Sequence, residues 1–411
     1  MLQSILFFSV VFSIYGALEY YGWQSVRTVI NPENIKTAKW YYWGLTAVLF
    51  VLFASYRPFL YKYLPKTIGT YFAVVFFILL LSKLVVLLFL FPEDVVRFFK
   101  FVASKFSSTS STPATGISRS EFLSKLALIT AAIPAGTLIY GVLVNAYNYQ
   151  FKKVSIKFPN LPEAFNGFKI IQLSDIHSGS FTKTEPIEKV IEKINKLNAD
   201  VVLFTGDLVN NTSDEMDAYM HVFDKLKARH GVFSITGNHD YGDYVSWDTP
   251  EAKKANFDKF IGIHKNLGWD LLLNEHRIIE RNGEKISIIG IENWGGGRFA
   301  KYGKLDVAHK GTEEIPFKIL MSHDPSHWDA QVLPKYNDID LMLSGHTHGA
   351  QFGIENKWLK WSPSQYIYKQ WAGLYNQGKQ YLYVNRGFGF LGYPGRVGIL
   401  PEVTEITLYK A

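Results

Sequence analysis

The chain has 411 residues, with 43 Lys and Arg, 36 Asp and Glu and a formal net charge of +7 at pH 7. A typical domain has about 150 residues, so at least two structural units are expected. No cysteine occurs, which excludes disulfides and thiolate metal sites and leaves nitrogen and oxygen atoms as metal ligands. The basic excess lies before residue 151, where 12 basic residues face 5 acidic ones, and the remainder is balanced at 31 to 31. The second part therefore lacks the basic excess that is typical of nucleic-acid binding.

The first 150 residues contain four long apolar stretches with at most one charge each. They are 2–18, 40–56, 68–91 and 126–147. Since a membrane-spanning helix needs about 20 apolar residues, we predict an all-α membrane region of about four transmembrane helices. Core helices of a soluble domain are the alternative, against which four such runs argue. Lys83, the one charge within these stretches, is interpreted as extending to the membrane surface.

A Ser- and Thr-rich segment, 103–118, predicts a solvated linker between the third and fourth spans. We therefore expect a transmembrane region over 1–150 and a second domain over 151–411. The first and third connecting loops with Lys125 carry eight Lys and Arg on one side of the four predicted spans. The second loop with Lys152, Lys153 and Lys157 carries six on the other. By the positive-inside rule this difference places the second domain on the outer face, which is the periplasmic face of a bacterial inner membrane.

Beyond residue 150, short apolar strands alternate with helical patterns. Strands are predicted at 168–173, 201–204 and 232–235, and helices at 184–198 and 213–228. This order predicts a parallel-rich sheet covered by helices. An Asn282-Gly283 turn predicts a hairpin between two further strands. The remaining predicted strands are 317–321, 341–343, 381–384 and 405–408.

Polar clusters follow the ends of five predicted strands. In chain order they are Asp175 and His177; Asp207; Asn238, His239 and Asp240; His323; and His346 and His348. Open α/β sheets form their ligand sites at the carboxyl ends of strands, so these clusters are expected to converge. In an extended segment, residues two apart lie on one face and can bind one metal or two adjacent metals. Glycines precede three of the clusters, where the backbone must turn tightly.

These residues in this order resemble the five motifs of the calcineurin-like metallophosphoesterase superfamily, over about 169–408. The resemblance implies an α/β fold, a four-layer α-β-β-α sandwich, that hydrolyses phosphate esters with two divalent metal ions. It implies one metal bound by Asp175, His177, Asp207 and His348, and a second bound by Asp207, Asn238, His323 and His346. Asp207 would bridge the two. His239 would neutralise charge on the phosphoryl group and protonate the leaving oxygen, and Asp240 would orient its imidazole.

Mixed nitrogen and oxygen ligands favour Mn, with Fe or Zn as alternatives. Arg386 and Arg396 follow the last histidine cluster and are candidate contacts to a substrate phosphate, with a surface salt bridge as the alternative. The segment 384–401 resembles a branch of bacterial membrane-associated and exported phosphoesterases, some of which cleave UDP-2,3-diacylglucosamine. That resemblance implies a lipid-linked or cell-envelope substrate, a phosphorylated small molecule or lipid, and the bilayer as a partner.

Two other functions remain open. A nuclease or nucleotide phosphodiesterase can use the same fold, but the balanced charge of 151–411 argues against nucleic acid as a partner. A non-catalytic metal-binding scaffold would have no need of His239. The segments 241–269 and 294–312 are expected to roof the site. Six further histidines are interpreted as structural: His221, His230, His264, His276, His309 and His327.

Overall fold

The protein is described by a computed structural model that covers residues 2–56, 66–105 and 119–411. The chain divides into two compact units, Met1–Tyr140 and Gly141–Ala411. Most of the predicted linker, 106–118, lies outside the described residues.

The first part of the chain is helical in the described residues apart from Ile30, Asn31 and Lys105. Its helices are α1 (Leu2–Val26), α2 (Ile35–Tyr56), α3 (Lys66–Ser104) and α4 (Arg119–Leu143). Within residues 2–56, 66–105 and 119–143, two segments, Ile68–Ala103 and Glu121–Leu143, are long and apolar enough to cross a membrane. The predicted stretch 126–147 extends past the end of α4, since Asn145–Tyr147 form a 3-10 turn.

Burial in the helical unit is inverted relative to a water-soluble protein. Large apolar side chains such as Leu88, Ile129 and Ile133 are exposed, whereas Glu19 is buried. Glu19 forms an ion pair with Lys83, and its Oε2 accepts hydrogen bonds of 3.0 Å from the hydroxyls of Tyr42 and Thr46. The interpretation that Lys83 extends to the membrane surface is therefore wrong, because a carboxylate on another helix holds its ammonium group inside the unit.

The second unit contains two six-stranded sheets. In spatial order the first consists of β1 (Gln150–Phe158), β14 (Glu402–Lys410), β2 (Phe168–Leu173), β3 (Val201–Phe204), β4 (Val232–Ser234) and β5 (Trp269–Leu271). The second consists of β12 (Gly373–Gln377), β13 (Gln380–Val384), β9 (Leu341–Ser344), β8 (Lys318–Met321), β7 (Glu284–Gly290) and β6 (Glu275–Arg281). A two-residue pair, β10 (Ile354–Glu355) and β11 (Lys360–Trp361), forms a small third sheet.

Both large sheets are mixed, with parallel strands in their centres. Strands β2 to β5 pair in parallel, as do β7, β8, β9 and β13. Strands β3, β8 and β9 are buried along their whole lengths, as expected where both faces of a parallel sheet are covered. The predicted hairpin is confirmed: β6 and β7 pair antiparallel, and Asn282 and Gly283 both have positive φ, the geometry of a type I′ turn.

Three large apolar clusters account for most of the burial in this unit. One contains Ile170 and Leu203 from the first sheet together with Ile288 and Leu343 from the second. Another joins the first sheet to α5 (Glu185–Asn195), α6 (Met220–Phe223) and α7 (Pro250–Leu267). The third joins the second sheet to α8 (Leu305–His309) and the π-helical turn Trp328–Val332, which continues into α9 (Leu333–Lys335).

Two segments differ from the sequence expectations. The predicted helix over 213–228 is a 3-10 helix, Ser213–Tyr219, followed by four α-helical residues that end at Phe223. Its buried residues Met216, Tyr219 and Val222 recur every three positions, which is the period of a 3-10 helix. Most of the expected roof 241–269 is α7, whose apolar face packs into the core beneath the first sheet.

Candidate metal centre

The five clusters follow five strands in the central parallel parts of the two sheets. Asp175 follows β2, Asp207 follows β3 and Asn238 follows β4 in the first sheet. His323 follows β8 and His346 follows β9 in the second. Backbone hydrogen bonds join the loops, since Asp175 N–H donates to the Gly206 carbonyl, and Gly345 N–H donates to the His323 carbonyl. The predicted convergence at the carboxyl ends of the strands is thus observed.

The first donor group is formed by Asp175, His177 and His348, which are all buried. The Nε2 atoms of His177 and His348 lie 3.0 Å apart. Nε2 of His348 also lies 3.2 Å from Oδ1 of Asp175. Three donor atoms of the types that bind transition metals therefore face one small volume.

The second donor group is formed by Asp207, His323 and His346. Nδ1 of His323 lies 2.7 Å from the carbonyl oxygen of Thr205, so we assign the ring proton to Nδ1 and leave Nε2 as a ligand atom. That Nε2 is buried and forms no hydrogen bond within the described residues, although it lies 3.1 Å from Oδ2 of Asp207. The same oxygen lies 3.5 Å from Nε2 of His177. Asp207 therefore links the two groups.

Asn238 presents an oxygen donor. Its Nδ2 donates a 2.9 Å hydrogen bond to the hydroxyl of Tyr244, which fixes the orientation of the amide. Its Oδ1 is buried and has no hydrogen-bond partner among the described residues. A buried amide oxygen without a partner is costly, and coordination of a cation would remove that cost.

The backbone of the donor residues has an uncommon conformation. Five of them have φ between 49° and 70°: Asp175, His177, Asp207, His346 and His348. Non-glycine residues seldom adopt this left-handed region, and clusters of them mark functional sites. The loops are also crowded, because a Cβ atom added at Gly345 would lie 2.2 Å from Oδ2 of Asp175. Gly345 is therefore required by close approach of the loops, as the sequence predicted.

The electrostatics of the site favour bound cations. Burial opposes ionisation of Asp175 and Asp207, but the neighbouring His348 and His323 outweigh it and keep the pKa of each carboxyl below its usual value. Burial lowers the pKa of His177 to about 3, so its ring is neutral. For His323, burial acts in the same direction, but the charge of Asp207 dominates and raises the pKa to about 10. Two buried carboxylates and the neutral imidazole of His177 form a donor set that fits divalent cations, whereas a cation that binds His323 has to displace the proton on its Nε2.

His239 is only half-buried, and its ring lies 5.0 Å from that of His177 between centroids. Its Nδ1 lies 2.7 Å from the carbonyl oxygen of Asn210, and we assign Nδ1–H as the donor. Asp240 does not hold the ring. Its carboxylate accepts hydrogen bonds from four backbone N–H groups, those of Asp207, Leu208, Val209 and Gly237. The expectation that Asp240 orients His239 is therefore wrong, because its oxygens are committed to joining two site loops.

The two arginines proposed for the substrate are buried inside the protein. Arg386 forms ion pairs with Glu402 and Glu355. Arg396 is fully buried, and its guanidinium group donates to the carbonyl oxygens of Gly389, Gly387 and Arg386. Neither the substrate contact nor the surface salt bridge agrees with this burial, so we assign both side chains to the packing of the C-terminal segment.

Two tyrosines at the site were not found from the sequence. The hydroxyl of Tyr368 lies 2.8 Å from Nε2 of His346, and the ring of Tyr244 lies 4.6 Å from that of His239. Both lie in loops without a regular pattern. Only the excess of aromatic residues in such loops could have drawn attention to them.

An α/β domain with two adjoining histidine and aspartate groups has the arrangement of a metal-dependent hydrolase. A family model described as "Probable Calcineurin-like phosphoesterase, transmembrane domain" matches residues 3–146, and the calcineurin-like phosphoesterase model matches residues 168–350.

The relatives of this chain include proteins from a fish and from two bacteria. A "Transmembrane protein with metallophosphoesterase domain" from Danio rerio is 30% identical over 80% of this chain and 71% of its own length. The "Uncharacterized metallophosphoesterase YkuE" of Bacillus subtilis is 30% identical over 71% of this chain and 98% of its own length. The "UDP-2,3-diacylglucosamine pyrophosphatase LpxG" of Chlamydia trachomatis is 28% identical over 56% and 81%. The chain belongs to the calcineurin-like metallophosphoesterases, and it is a metal-dependent phosphoric ester hydrolase with a transmembrane region.

Proposed function

We propose that this protein is a membrane-anchored phosphoesterase that uses two divalent cations to hydrolyse a phosphodiester, phosphomonoester or pyrophosphate in a lipid-linked or cell-envelope substrate. The observation that carries the proposal is the position of Asp207. One of its carboxylate oxygens lies 3.1 Å from His323 in one donor group and 3.5 Å from His177 in the other. A carboxylate shared by two groups is the arrangement that two adjacent cations need.

The donor groups suggest how the ligands are divided. One metal would be held by Asp175, His177, Asp207 and His348, and the other by Asp207, Asn238, His323 and His346. We propose Mn, with Fe or Zn as alternatives, because the ligands mix nitrogen and oxygen. When bound, such cations lower the pKa of water and neutralise charge on phosphoryl oxygens.

His239 supplies the proton. With Nδ1–H donating to the Asn210 carbonyl, Nε2 is the nitrogen that exchanges a proton with the substrate. Protonated, it donates to the oxygen that leaves phosphorus and neutralises the charge that develops there. The ring of His239 is half-buried, whereas those of His177, His323 and His348 are buried. His346 is half-buried as well but is proposed as a metal ligand, so His239 is the histidine left to contact the substrate. Asp240 acts through the loops, by holding the backbone of Asp207.

We propose a domain organisation of a transmembrane region over 1–150 and a catalytic domain over 151–411. The three apolar clusters support a four-layer α-β-β-α sandwich for the catalytic domain. Four transmembrane helices are supported by the exposed apolar side chains and buried Glu19 of the helical unit. The positive-inside difference supports a catalytic domain on the periplasmic face of a bacterial inner membrane.

The substrate class rests on two observations. The chain has a transmembrane region, and a relative is named for the pyrophosphate bond of UDP-2,3-diacylglucosamine, a lipid-linked sugar nucleotide. Nucleic acid is the less favoured alternative because the catalytic part of the chain has no basic excess.

The test uses the full-length protein in lipid nanodiscs. After chelation and reloading with Mn, it should hydrolyse an aryl phosphodiester and a lipid pyrophosphate, and Asp207→Ala should reduce both rates by at least about a hundredfold. Asp217→Ala, at an exposed ion pair with Lys259, is the matched control and should retain activity. Hydrolysis that persists without divalent metal, or in Asp207→Ala, would overturn the proposal. Preferential hydrolysis of oligonucleotides would support the nuclease alternative instead.

A further inference from the structure

A cavity of about 590 Å³ lies beside the second donor group, within the range of ordinary ligand pockets. Its lining includes Phe299 and Tyr368, and both contact His346. The ring centroids of Phe299 and His346 lie 4.9 Å apart, and the Tyr368 hydroxyl lies 2.8 Å from Nε2 of His346. A molecule in this cavity therefore reaches the side chain proposed to bind the second metal.

The cavity presents apolar side chains and few free polar groups. Ile367 lines it and is 77% exposed, next to the equally exposed Tyr366. The carboxylate of Asp324 accepts hydrogen bonds from the backbone of Gly296 and from Ser326. Lys369 and Gln370 are both engaged by Asp329.

Because most polar groups of the lining are already hydrogen-bonded within the protein, the cavity has few groups with which to recognise a polar ligand. A site that selects a polar ligand such as a nucleobase presents unpaired donors and acceptors to it. Here the carboxylates already have partners within the protein, and Ile367, which is exposed together with Arg298, Asp329 and Lys369 of the lining, is aliphatic. The lining is thus suited to a flexible apolar chain, which is recognised by burial rather than by hydrogen bonds.

Arg298 is the exception. It lines the cavity, it is exposed, and it makes no hydrogen bond or ion pair within the described residues. A guanidinium group can form two parallel hydrogen bonds to a phosphate or carboxylate. A lone exposed arginine is ordinary, but this one borders an apolar cavity that adjoins a metal-binding histidine.

We propose that this cavity binds the apolar chain of the substrate and that Arg298 contacts a second anionic group on it. This inference rests on the proposed function of the adjoining metal site and makes the substrate class more specific. The substrate is then an amphipathic molecule with a hydrocarbon chain, the phosphoryl group that reacts, and a further phosphate or carboxylate. Ile367 and Arg298 are its specificity-determining residues.

The experiment measures binding separately from turnover. Alkylphosphonates from methyl to octyl, used below their critical micelle concentrations, are titrated calorimetrically into the Mn-loaded full-length protein in nanodiscs. Nanodiscs are needed because detergent would fill the cavity. Affinity should increase by roughly two- to fourfold for each added methylene, as expected for burial of a hydrocarbon chain. Affinity that does not change with chain length would overturn the proposal, whether or not the protein hydrolyses an aryl phosphodiester.

Substitutions in the lining test whether the dependence of affinity on chain length arises from this cavity. Ile367→Ser should flatten the dependence on chain length and Ile367→Leu should preserve it. Val307→Ser, at a 52% exposed position in α8, should leave it unchanged. Arg298→Gln should weaken an alkyl bisphosphonate about tenfold more than the alkylphosphonate of equal length. An unaltered chain-length dependence in Ile367→Ser would overturn the assignment of the cavity. Equal weakening of both ligands by Arg298→Gln would overturn the role of the arginine.

Failure of the proposed function has a different signature. In that case no phosphate ester is hydrolysed in a metal-dependent manner, while the phosphonate series still reports on the cavity. If the aryl diester is hydrolysed but binding does not depend on chain length, the proposed metal site is supported and the proposed chain-binding cavity is overturned.

Discussion

The Nε2 atoms of His177 and His348 lie 3.0 Å apart in a buried part of the site. Without a cation, one nitrogen has to carry a proton for this contact to be favourable. With a cation, both lone pairs serve as ligands. A metal ion bound by both Nε2 atoms would therefore displace the proton that lies between them. Because protons compete with the metal for these nitrogens, affinity for the metal should fall at acidic pH.

This relationship predicts a stabilisation by metal that depends on His348. Addition of Mn to the chelated full-length protein should raise the midpoint of thermal unfolding. At a free Mn concentration a hundred times the dissociation constant, the gain is about 2.7 kcal/mol. His348→Ala should lose most of the shift, measured by calorimetry. His221→Ala, an exposed histidine whose nearest acidic partner is Glu188 at 3.9 Å, should keep it. An equal shift in the two variants would contradict the assignment.

Asp240 and His239 should respond differently to substitution. Asp240→Asn places an amide NH2 group against backbone N–H donors, so we expect a loss of about 2 kcal/mol or more in the free energy of unfolding, with lower activity. His239→Ala should reduce turnover by about a hundredfold or more with little change in stability. For each variant, the free energy of unfolding is measured by chemical denaturation and turnover by hydrolysis of an aryl phosphodiester, on the same preparation. If Asp240→Asn lost activity at unchanged stability and altered the pH profile of turnover, Asp240 would be orienting His239 after all.

His264 predicts a pH dependence of stability. Burial lowers its pKa from 6.5 to about 4, although Nδ1 hydrogen-bonds to the Phe260 carbonyl. Below pH 6.5 the His264 side chain is protonated in the unfolded chain, whereas in the folded protein it stays neutral until the pH approaches 4. The contribution of neutral His264 to the free energy of unfolding is fully present above pH 6.5. It decreases by roughly 3 kcal/mol as the pH falls toward 4.

His264→Leu should therefore flatten the decline in unfolding free energy between pH 7 and pH 4.5. Some slope should remain, because burial also lowers the pKa of His327 to about 4. His221→Leu, at an exposed position, should retain the full slope. A variant curve parallel to that of the unmodified protein would show that His264 does not titrate as described.

The Glu19 and Lys83 pair predicts non-additive effects in the helical unit. Removal of one partner leaves a buried charge, so Glu19→Gln or Lys83→Met alone should cost about 3–5 kcal/mol of stability. The double variant should recover most of that loss. The measurement is a double-mutant cycle on thermal unfolding in nanodiscs. Arg97→Gln, in an exposed pair with Glu93, should have little effect. Additive losses at Glu19 and Lys83 would rule out the energetic coupling.

The sequence predicted features that depend on local patterns. The strands before the site have short apolar runs that end at polar residues, and the resemblance to a known motif order supplied Asp207, Asn238 and His323 as ligands. The Asn282-Gly283 hairpin was read correctly for the same reason, since two adjacent residues set the turn.

Features that depend on contacts between distant segments were missed. Lys83 and Glu19 are 64 residues apart, so no local pattern connects them. The role of Asp240 follows from how its loop packs on Asp207 to Val209. The burial of Arg386 is set by Glu402, whose strand β14 lies in the other large sheet. In each case the sequence assigned a charged side chain the wrong partner, because its actual partner comes from another part of the fold.

The left-handed backbone at Asp175, His177, Asp207, His346 and His348 has a consequence for metal exchange. Surrounding contacts have to maintain such a conformation, so the donors are held in place before any ion arrives. Replacing one divalent ion by another of similar size then requires no rebuilding of the loops. The order of activities restored by Mn, Fe or Zn should reflect the intrinsic acidity and ligand preference of each ion.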